Sequence, residues 1–361
     1  MIALSSEKNK LVIGLMSGTS LDGLDIAACY YEQNNDKYQY KVVDVTTINY
    51  SDSWKNRLLH AENLSGRALQ ELHIDFARFC AQEVKDFLKN KNIKPDFIAS
   101  HGHTVFHQPQ LGYTLQIGCG ATIAANTGVT TISDFRQTDV ALGGQGAPLV
   151  PMGDLLLFSD YEVCINLGGF ANISVKENRD ILAFDICPVN FVLNDLCKKL
   201  NLPYDHNGDI AKSGNINSQL LEHLNQIEFY REKAPKSLGA EWVKNHFIPI
   251  IQQFENGAAV QDIIATVTAH AAFQIAKAIP ITAQSALVTG GGALNNFLIS
   301  SIQEKTRAHI NVPELNVINF KEAIIFGFLG FLRSNEFINV LKSVTGARKD
   351  SCSGVIHLSQ S

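Results

Sequence analysis

Two glycine-rich turns in this chain of 361 residues have the residue types that bind phosphate groups. The first is Ser17-Gly18-Thr19-Ser20-Leu21-Asp22-Gly23, and the second is Asn166-Leu167-Gly168-Gly169-Phe170. Both lie between apolar runs, which predicts two β-hairpins. Glycines let backbone N–H groups approach phosphate oxygens, and a carboxylate such as Asp22 suits a divalent metal ion. Each turn alone is equally consistent with an ordinary hairpin.

A third glycine-rich segment, Gly290-Gly291-Gly292, follows residues 285–289, whose centre is apolar, and precedes Asn295 and Asn296. This order predicts a buried strand, a tight turn and a helix. Bare backbone at a helix N-terminus can support part of a nucleotide. Three glycines are also typical of a flexible turn, so the segment alone is a weak signal. Its position after the two hairpins makes a nucleotide-binding role more specific.

Asp185 is the candidate catalytic residue. It follows residues 181–184, which are predicted to form a strand. A carboxylate at the end of a strand can act as a general base. The alternative is that Asp185 caps a helix that begins near Pro188.

Residues 100–107 are predicted to form a polar loop, which contains His101, His103 and His107. Imidazole is a common metal ligand. No cysteine or carboxylate lies close by in the sequence to complete a ligand set, so we favour a loop that faces a substrate.

Arg136 follows the predicted strand of residues 129–133. Its guanidinium group can bind an anionic group through two parallel hydrogen bonds, or it can pair with Asp139 at the surface.

The composition excludes several classes of protein. The net charge is −5 and no basic run is present, which argues against a nucleic-acid partner. The apolar residues 11–16 are too few for a secretory signal, and residues 323–332 are too few to cross a bilayer. The seven cysteines lack a Cys-x-x-Cys pair and are expected to be reduced thiols of a cytoplasmic protein.

The order of predicted elements repeats along the chain. Each half contains a strand, a glycine hairpin, two further strands and a helix, which predicts a duplicated α/β fold with a cleft between its halves. We place one domain at residues 1–131 with 342–361, and the other at residues 132–341.

These segments together resemble the anhydro-N-acetylmuramic acid kinases of the actin, hexokinase and heat-shock-chaperone ATPase superfamily. The resemblance extends over nearly the whole chain. Its matching segments are residues 14–25, 100–102, 134–151, 166–173, 235–239, 290–295, 322–323 and 343–347.

The resemblance implies a two-domain actin-like ATPase fold, of the duplicated ribonuclease H-like kind, with a central nucleotide cleft. It also implies an enzyme that uses ATP and Mg²⁺ to open 1,6-anhydro-N-acetylmuramic acid with water and to phosphorylate O6 in peptidoglycan recycling. The expected partner of the enzyme is this small-molecule substrate, and neither a nucleic acid nor a membrane is expected to bind. A homodimer is consistent with the family.

By the same resemblance, Asp185 is the base that activates water. Asp22 is expected to hold the metal ion through water, since Mg²⁺ keeps part of its hydration shell. His103, Arg136 and Glu322 are expected to contact the sugar. The expected nucleotide-binding residues are Gly18, Thr19, Ser20, Leu21, Asp22, Gly23, Leu24, Asp25, Asn166, Gly168, Gly169, Gly290, Gly291 and Gly292.

Two departures from the family pattern affect the expected pocket. The family usually has Asp-Thr-Gly-Pro-Gly at residues 185–189, where this chain has Asp-Ile-Cys-Pro-Val. The added side chains are expected to restrict the backbone beside the presumed active site. His103 stands where the family usually has Gln, which is expected to change one sugar contact. The alternatives are another sugar kinase of the superfamily or an ATP-gated binding module without catalysis.

Overall fold

The computed structural model describes residues 9–35, 37–177 and 180–359. The chain forms two compact units. One takes in the described residues of Met1–Ser159 and Phe320–Ser361, and the other is Asp160–Asn319.

The unit that contains the N-terminal hairpin has a seven-stranded sheet in the order β12-β6-β4-β1-β2-β3, with β5 paired to β4. Strands β1, β4 and β6 run parallel, whereas β1, β2 and β3 are antiparallel neighbours. Its elements before residue 160 are β1 (Asn9–Ser17), β2 (Gly23–Asn34), β3 (Lys37–Asn49), α1 (Asp52–Leu59), α2 (Gly66–Lys91), β4 (Phe97–Gln108), β5 (Tyr113–Ile117), α3 (Gly120–Thr127), β6 (Thr131–Ser133), α4 (Gln137–Ala141) and α5 (Val150–Leu156).

The second unit has a five-stranded sheet in the order β11-β10-β7-β8-β9. Strands β7, β10 and β11 run parallel, and β7, β8 and β9 are antiparallel neighbours. Its elements are β7 (Val163–Leu167), β8 (Phe170–Glu177), β9 (Asp180–Pro188), α6 (Asn190–Lys198), α7 (Asp209–Ser213), α8 (Ser218–Asn225), α9 (Ala240–Trp242), α10 (Ile248–Glu255), α11 (Val260–Ala278), β10 (Ser285–Thr289), α12 (Asn296–Gln303) and β11 (His309–Asn311).

The remaining elements are α13 (Leu315–Ser334), α14 (Lys342–Thr345) and β12 (Val355–His357). Three antiparallel strands followed by two parallel ones occur in the same spatial order in both units. The predicted duplicated α/β fold is therefore confirmed.

Helix α2 shows how the local sequence determines an element. The Ser65 hydroxyl accepts a hydrogen bond from the Ala68 N–H at the N-terminus, and Asn92 ends the helix in the left-handed conformation. Its apolar residues recur every three or four positions, so one side is buried, including Leu72 and Phe76.

The boundaries of the compact units differ from those that we predicted. Residues 132–159 and the part of α13 from Phe320 onward group with the N-terminal sheet rather than with the second unit. Strand β12 pairs with β6, and the Tyr31 hydroxyl donates a 2.6 Å hydrogen bond to the Ile324 carbonyl. These contacts join the C-terminal segment to the first sheet.

Helix α13 is longer than the apolar run that we identified. Its 20 residues are long and apolar enough to cross a membrane, but 72% of the apolar window is buried inside the protein. That burial is typical of the core helix of a folded domain.

Gly14 allows α13 to lie directly on β1. A Cβ atom at residue 14 would lie 1.9 Å from the Ala323 carbonyl oxygen. We predict that Gly14→Ala lowers the free energy of unfolding by about 1–3 kcal/mol or more, because the helix backbone must move away. Gly66→Ala is the control, since a Cβ there meets nothing within 4 Å, and it should stabilise the protein by about 0.4–1 kcal/mol. Equal urea midpoints for the two variants would contradict this account.

His270 is buried in the second unit between the Asn225 side chain and the Tyr230 hydroxyl. Burial lowers its pKa to about 3, so the unfolded chain binds more protons between about pH 6.5 and pH 3. The free energy of unfolding should therefore decrease as the pH falls through that window. At pH 5, His270 alone should lower it by about 2 kcal/mol. We predict that His270→Gln removes this part of the loss. Urea unfolding at pH 8 and pH 5 measures it, and identical pH dependence in both proteins would count against it.

Candidate functional site

The first glycine hairpin joins β1 to β2 as predicted. Ser17 ends β1 and Gly23 begins β2, and Ser17 is paired with Leu24. Leu21 has a φ of 60°, a conformation that costs a non-glycine residue about 1–2 kcal/mol. Its N–H donates to the Gly18 carbonyl at 3.3 Å. The hairpin is therefore a defined turn, and its exposed residues include Thr19 and Ser20.

Asp22 and Asp25 supply two carboxylates to this hairpin. Asp22 is exposed, and Asp25 accepts a 2.6 Å hydrogen bond from the Thr47 hydroxyl. Burial raises the pKa of Asp25, the Thr47 bond opposes that rise, and the charge of Asp22 adds to it. Two interacting carboxylates fit a Mg²⁺ ion, which proteins bind with one or two such groups and water.

A chain of buried hydrogen bonds lies at the base of the hairpin. The Ser17 hydroxyl is 2.6 Å from the Tyr50 hydroxyl and 2.9 Å from His103 Nδ1. His103 is 3% exposed, and burial lowers its pKa to about 4. The Nδ1 atom of His103 is thus directed to Ser17, and its predicted contact with the sugar stays a prediction.

Arg136 is held on two sides. Its Nε and Nη2 atoms lie 3.0 and 2.9 Å from His101 Nε2, and Nη1 donates to the Gly146 carbonyl at 2.7 Å. Burial lowers the pKa of Arg136 to about 10, and the nearby charge of Glu322 opposes that change. Glu322 is exposed at the surface. Partial desolvation by its neighbours raises the pKa of its carboxyl group, and the charges of Arg136 and Lys321 oppose that rise.

The alternative in which Arg136 pairs with Asp139 at the surface is wrong. Asp139 is completely buried. One carboxylate oxygen accepts the Gly146 N–H at 2.7 Å, and the other accepts the Thr345 hydroxyl at 2.7 Å. Asp139 therefore fixes the loop whose carbonyl group binds Arg136.

The three histidines do not form the predicted loop, because residues 101–107 continue strand β4. His101 and His103 make the contacts above, and His107 bonds to the Thr114 hydroxyl at 3.1 Å. Among the residues that the structure describes, no cluster of three His, Cys, Asp or Glu side chains could hold a metal ion.

The second hairpin, in the other unit, joins β7 to β8 through Gly168 and Gly169. The carbonyl groups of both glycines accept hydrogen bonds from backbone N–H groups at the start of α6, from Asn190 to Gly168 and from Phe191 to Gly169. Phe191 also stacks on Phe170, with 5.6 Å between the ring centroids. The hairpin and the helix start thus support each other.

The glycines after β10 pack against this hairpin. A Cβ atom at Gly290 would lie 2.6 Å from Asn166 Oδ1, and one at Gly292 would lie 2.7 Å from the Leu167 Cβ. Gly291 has more open space around it. The Asn295 side chain then caps α12 by accepting a hydrogen bond from the Leu298 N–H. Two of the three glycines are therefore required for close packing in the same unit.

Asp185 lies within β9, which continues to Pro188, and not at a strand end as predicted. The ladder with β8 has a bulge between Ala171 and Asn172, next to Asp185. Its Oδ2 accepts the Leu238 N–H at 2.8 Å, and its own N–H donates to the Lys236 carbonyl. It does not cap α6, whose N-cap is Val189.

The environment of Asp185 suits a proton acceptor. The side chain is half-buried, and desolvation raises its pKa although the Leu238 N–H opposes the rise. A carboxylate with a raised pKa holds a proton more readily than an exposed one, which improves a general base.

The residues that depart from the family pattern lie in the core. Ile186, Cys187 and Val189 are 3%, 0% and 0% exposed, and all three pack into the apolar core of the second unit. The apolar core therefore accommodates the side chains that depart from the family pattern.

Sequence reasoning missed Tyr50 and Leu238, which hold candidate groups in place, and it named His101 without its partner Arg136. All three make their contacts across long sequence separations. His101 and residues 235–239 lie in segments of family resemblance, which is the signal that pointed to them.

Comparison with known proteins confirms the resemblance. A family model described as anhydro-N-acetylmuramic acid kinase matches residues 10–359. A protein of that name from Hydrogenovibrio crunogenus is 34% identical, over 98% of this chain and 99% of the relative. A relative of the same name from Bacillus cereus is 32% identical, over 94% of this chain and 96% of the relative. Another, from Pseudoalteromonas translucida, is 34% identical, over 89% of this chain and 88% of the relative. The chain belongs to the anhydro-N-acetylmuramic acid kinase family.

Proposed function

We propose that this protein is an ATP-dependent kinase that opens 1,6-anhydro-N-acetylmuramic acid with water and phosphorylates O6. The products are N-acetylmuramic acid 6-phosphate and ADP. The observation that carries this proposal is the half-buried Asp185, which a backbone N–H orients and whose pKa burial raises, in a chain of this family.

Asp185 takes a proton from water as the water oxygen attacks the anomeric carbon. The bond between that carbon and O6 breaks. O6 then attacks the γ-phosphorus of ATP, and the bond between that phosphorus and the leaving ADP breaks. The Leu238 N–H holds one carboxylate oxygen at 2.8 Å, which leaves the other to receive the proton. Asp185 then releases this proton to solvent.

Residues 18–25, with Asn166, Gly168, Gly169 and Gly290–Gly292, are proposed to contact ATP. The left-handed turn at Leu21 is consistent with such a role, since strained backbone often occurs at ligand-binding turns. Asp22, with Asp25 beside it, would hold Mg²⁺, which supplies charge neutralisation for phosphoryl transfer.

Arg136 and Glu322 are proposed to contact the sugar. The guanidinium group is already oriented by His101 and Gly146. His103 is also proposed to contact the sugar, while its Nδ1 atom fixes the Ser17 hydroxyl at the start of the phosphate-binding turn. The homodimer and the cytoplasmic location that the sequence indicated stay predictions.

We predict that Asp185→Asn lowers turnover by about 10²–10⁴-fold, because the amide cannot accept the proton from water. ATP binding should be retained, since the substitution preserves shape. Asp180→Asn, an exposed position on the same strand, is the control and should keep wild-type turnover. The measurement is ADP release with 1,6-anhydro-N-acetylmuramic acid as acceptor. Wild-type turnover in Asp185→Asn would remove this residue from the base role.

Labelled water tests whether ring opening accompanies phosphorylation. The heavy oxygen should appear at the anomeric carbon of the product and not in the phosphate, because water attacks carbon and O6 attacks phosphorus. Mass spectrometry of the product, with open N-acetylmuramic acid as a comparison acceptor, makes the measurement. Preference for the open sugar without label incorporation would favour an ordinary sugar kinase.

A further inference from the structure

The contacts of His101 determine which of its nitrogens carries the proton. Its Nε2 lies within 3.0 Å of Nε and Nη2 of Arg136, and a guanidinium group only donates hydrogen bonds. Nε2 must therefore be the acceptor. The Nδ1 atom is 2.9 Å from the Gly102 carbonyl, which only accepts, so Nδ1 carries the proton.

The same contacts account for three of the five N–H groups of Arg136. Two are directed to His101 Nε2, and one on Nη1 is directed to the Gly146 carbonyl. One N–H on each terminal nitrogen is left. Within residues 9–35, 37–177 and 180–359, no carboxylate forms an ion pair with Arg136.

The surroundings of the pair make this orientation rigid. His101 is 5% exposed and packs on Phe326, with 4.5 Å between the ring centroids. Gly146 is held in turn by Asp139, which the Thr345 hydroxyl also contacts. The charge of Glu322 acts on Arg136 from nearby, but among the described residues the guanidinium group forms no ion pair. Its two remaining N–H groups therefore suit an oxyanion of a ligand.

We propose that His101 is a positioning residue that, as the neutral Nδ1–H form, directs two N–H groups of Arg136 toward an oxyanion of the substrates. This inference rests on the proposed function and names the recognition chemistry of the same site. The oxyanion is either the carboxylate of the muramic acid side chain or the transferring phosphoryl group.

The first test is independent of activity. Nitrogen NMR of the full chain, labelled at histidine, should show that His101 carries its proton on Nδ1 at neutral pH. The His101→Gln protein identifies the signal by its loss. A proton on Nε2, or on both nitrogens, would overturn the proposal whatever reaction the protein catalyses.

The second test is a double-mutant cycle measured by ADP release. His101→Leu should lower kcat/KM by about tenfold or more, the range expected from hydrogen bonds to a charged group. His101→Gln retains an acceptor oxygen and should recover most of the loss. In an Arg136→Met background, His101→Leu should have little further effect. An equal decrease in kcat/KM in both backgrounds would show that His101 has only a structural role, and it would contradict the proposal.

An acceptor without the carboxylate, 1,6-anhydro-N-acetylglucosamine, separates the two oxyanions. If Arg136 binds the sugar carboxylate, the effect of His101→Leu should vanish with this sugar, as measured by turnover or by competition. If Arg136 binds the phosphoryl group, the effect should be equal with both sugars. Absence of any sugar-dependent ADP release by the wild-type protein would contradict the proposed function, and the NMR result would still decide the role of His101.

Discussion

Asp139 carries a carboxylate with no solvent exposure, and such a group destabilises a fold unless donors meet it. The donors come from the Gly146 N–H and the Thr345 hydroxyl. Because both groups donate to the same carboxylate, Asp139 joins the C-terminal segment at Thr345 to the glycine-rich loop after α4 at Gly146. That loop then presents the Gly146 carbonyl to Arg136. The geometry of the cationic group depends on a residue that never reaches solvent.

Asp185 shows how a different environment gives the same side chain a different role. It receives one backbone N–H, from Leu238, and remains half-buried. Asp139 is bonded through both carboxylate oxygens and is closed off from solvent. One aspartate thus supports the structure, and the other keeps an oxygen for proton transfer.

Glycines act in this protein mainly through close packing. Gly14 lets α13 lie on β1, and Gly290 and Gly292 let the turn after β10 lie against the second hairpin. Few side chains could replace them without moving backbone. The departures from the family at residues 186–189 are tolerated for the opposite reason, since those side chains point into an apolar core that accommodates them.

The sequence by itself determined the two hairpins, the duplicated order of strands and helices, and the candidate aspartate. Those features follow from local periodicity, glycine placement and motif spacing. The tertiary structure alone decided that Asp185 lies inside a strand, that His103 bonds to Ser17, and that Asp139 bonds to Gly146 and Thr345 rather than to Arg136. These outcomes depend on partners far away in the sequence, such as Leu238, Tyr50 and Thr345. A local pattern contains no information about which distant backbone or hydroxyl group will meet a given side chain.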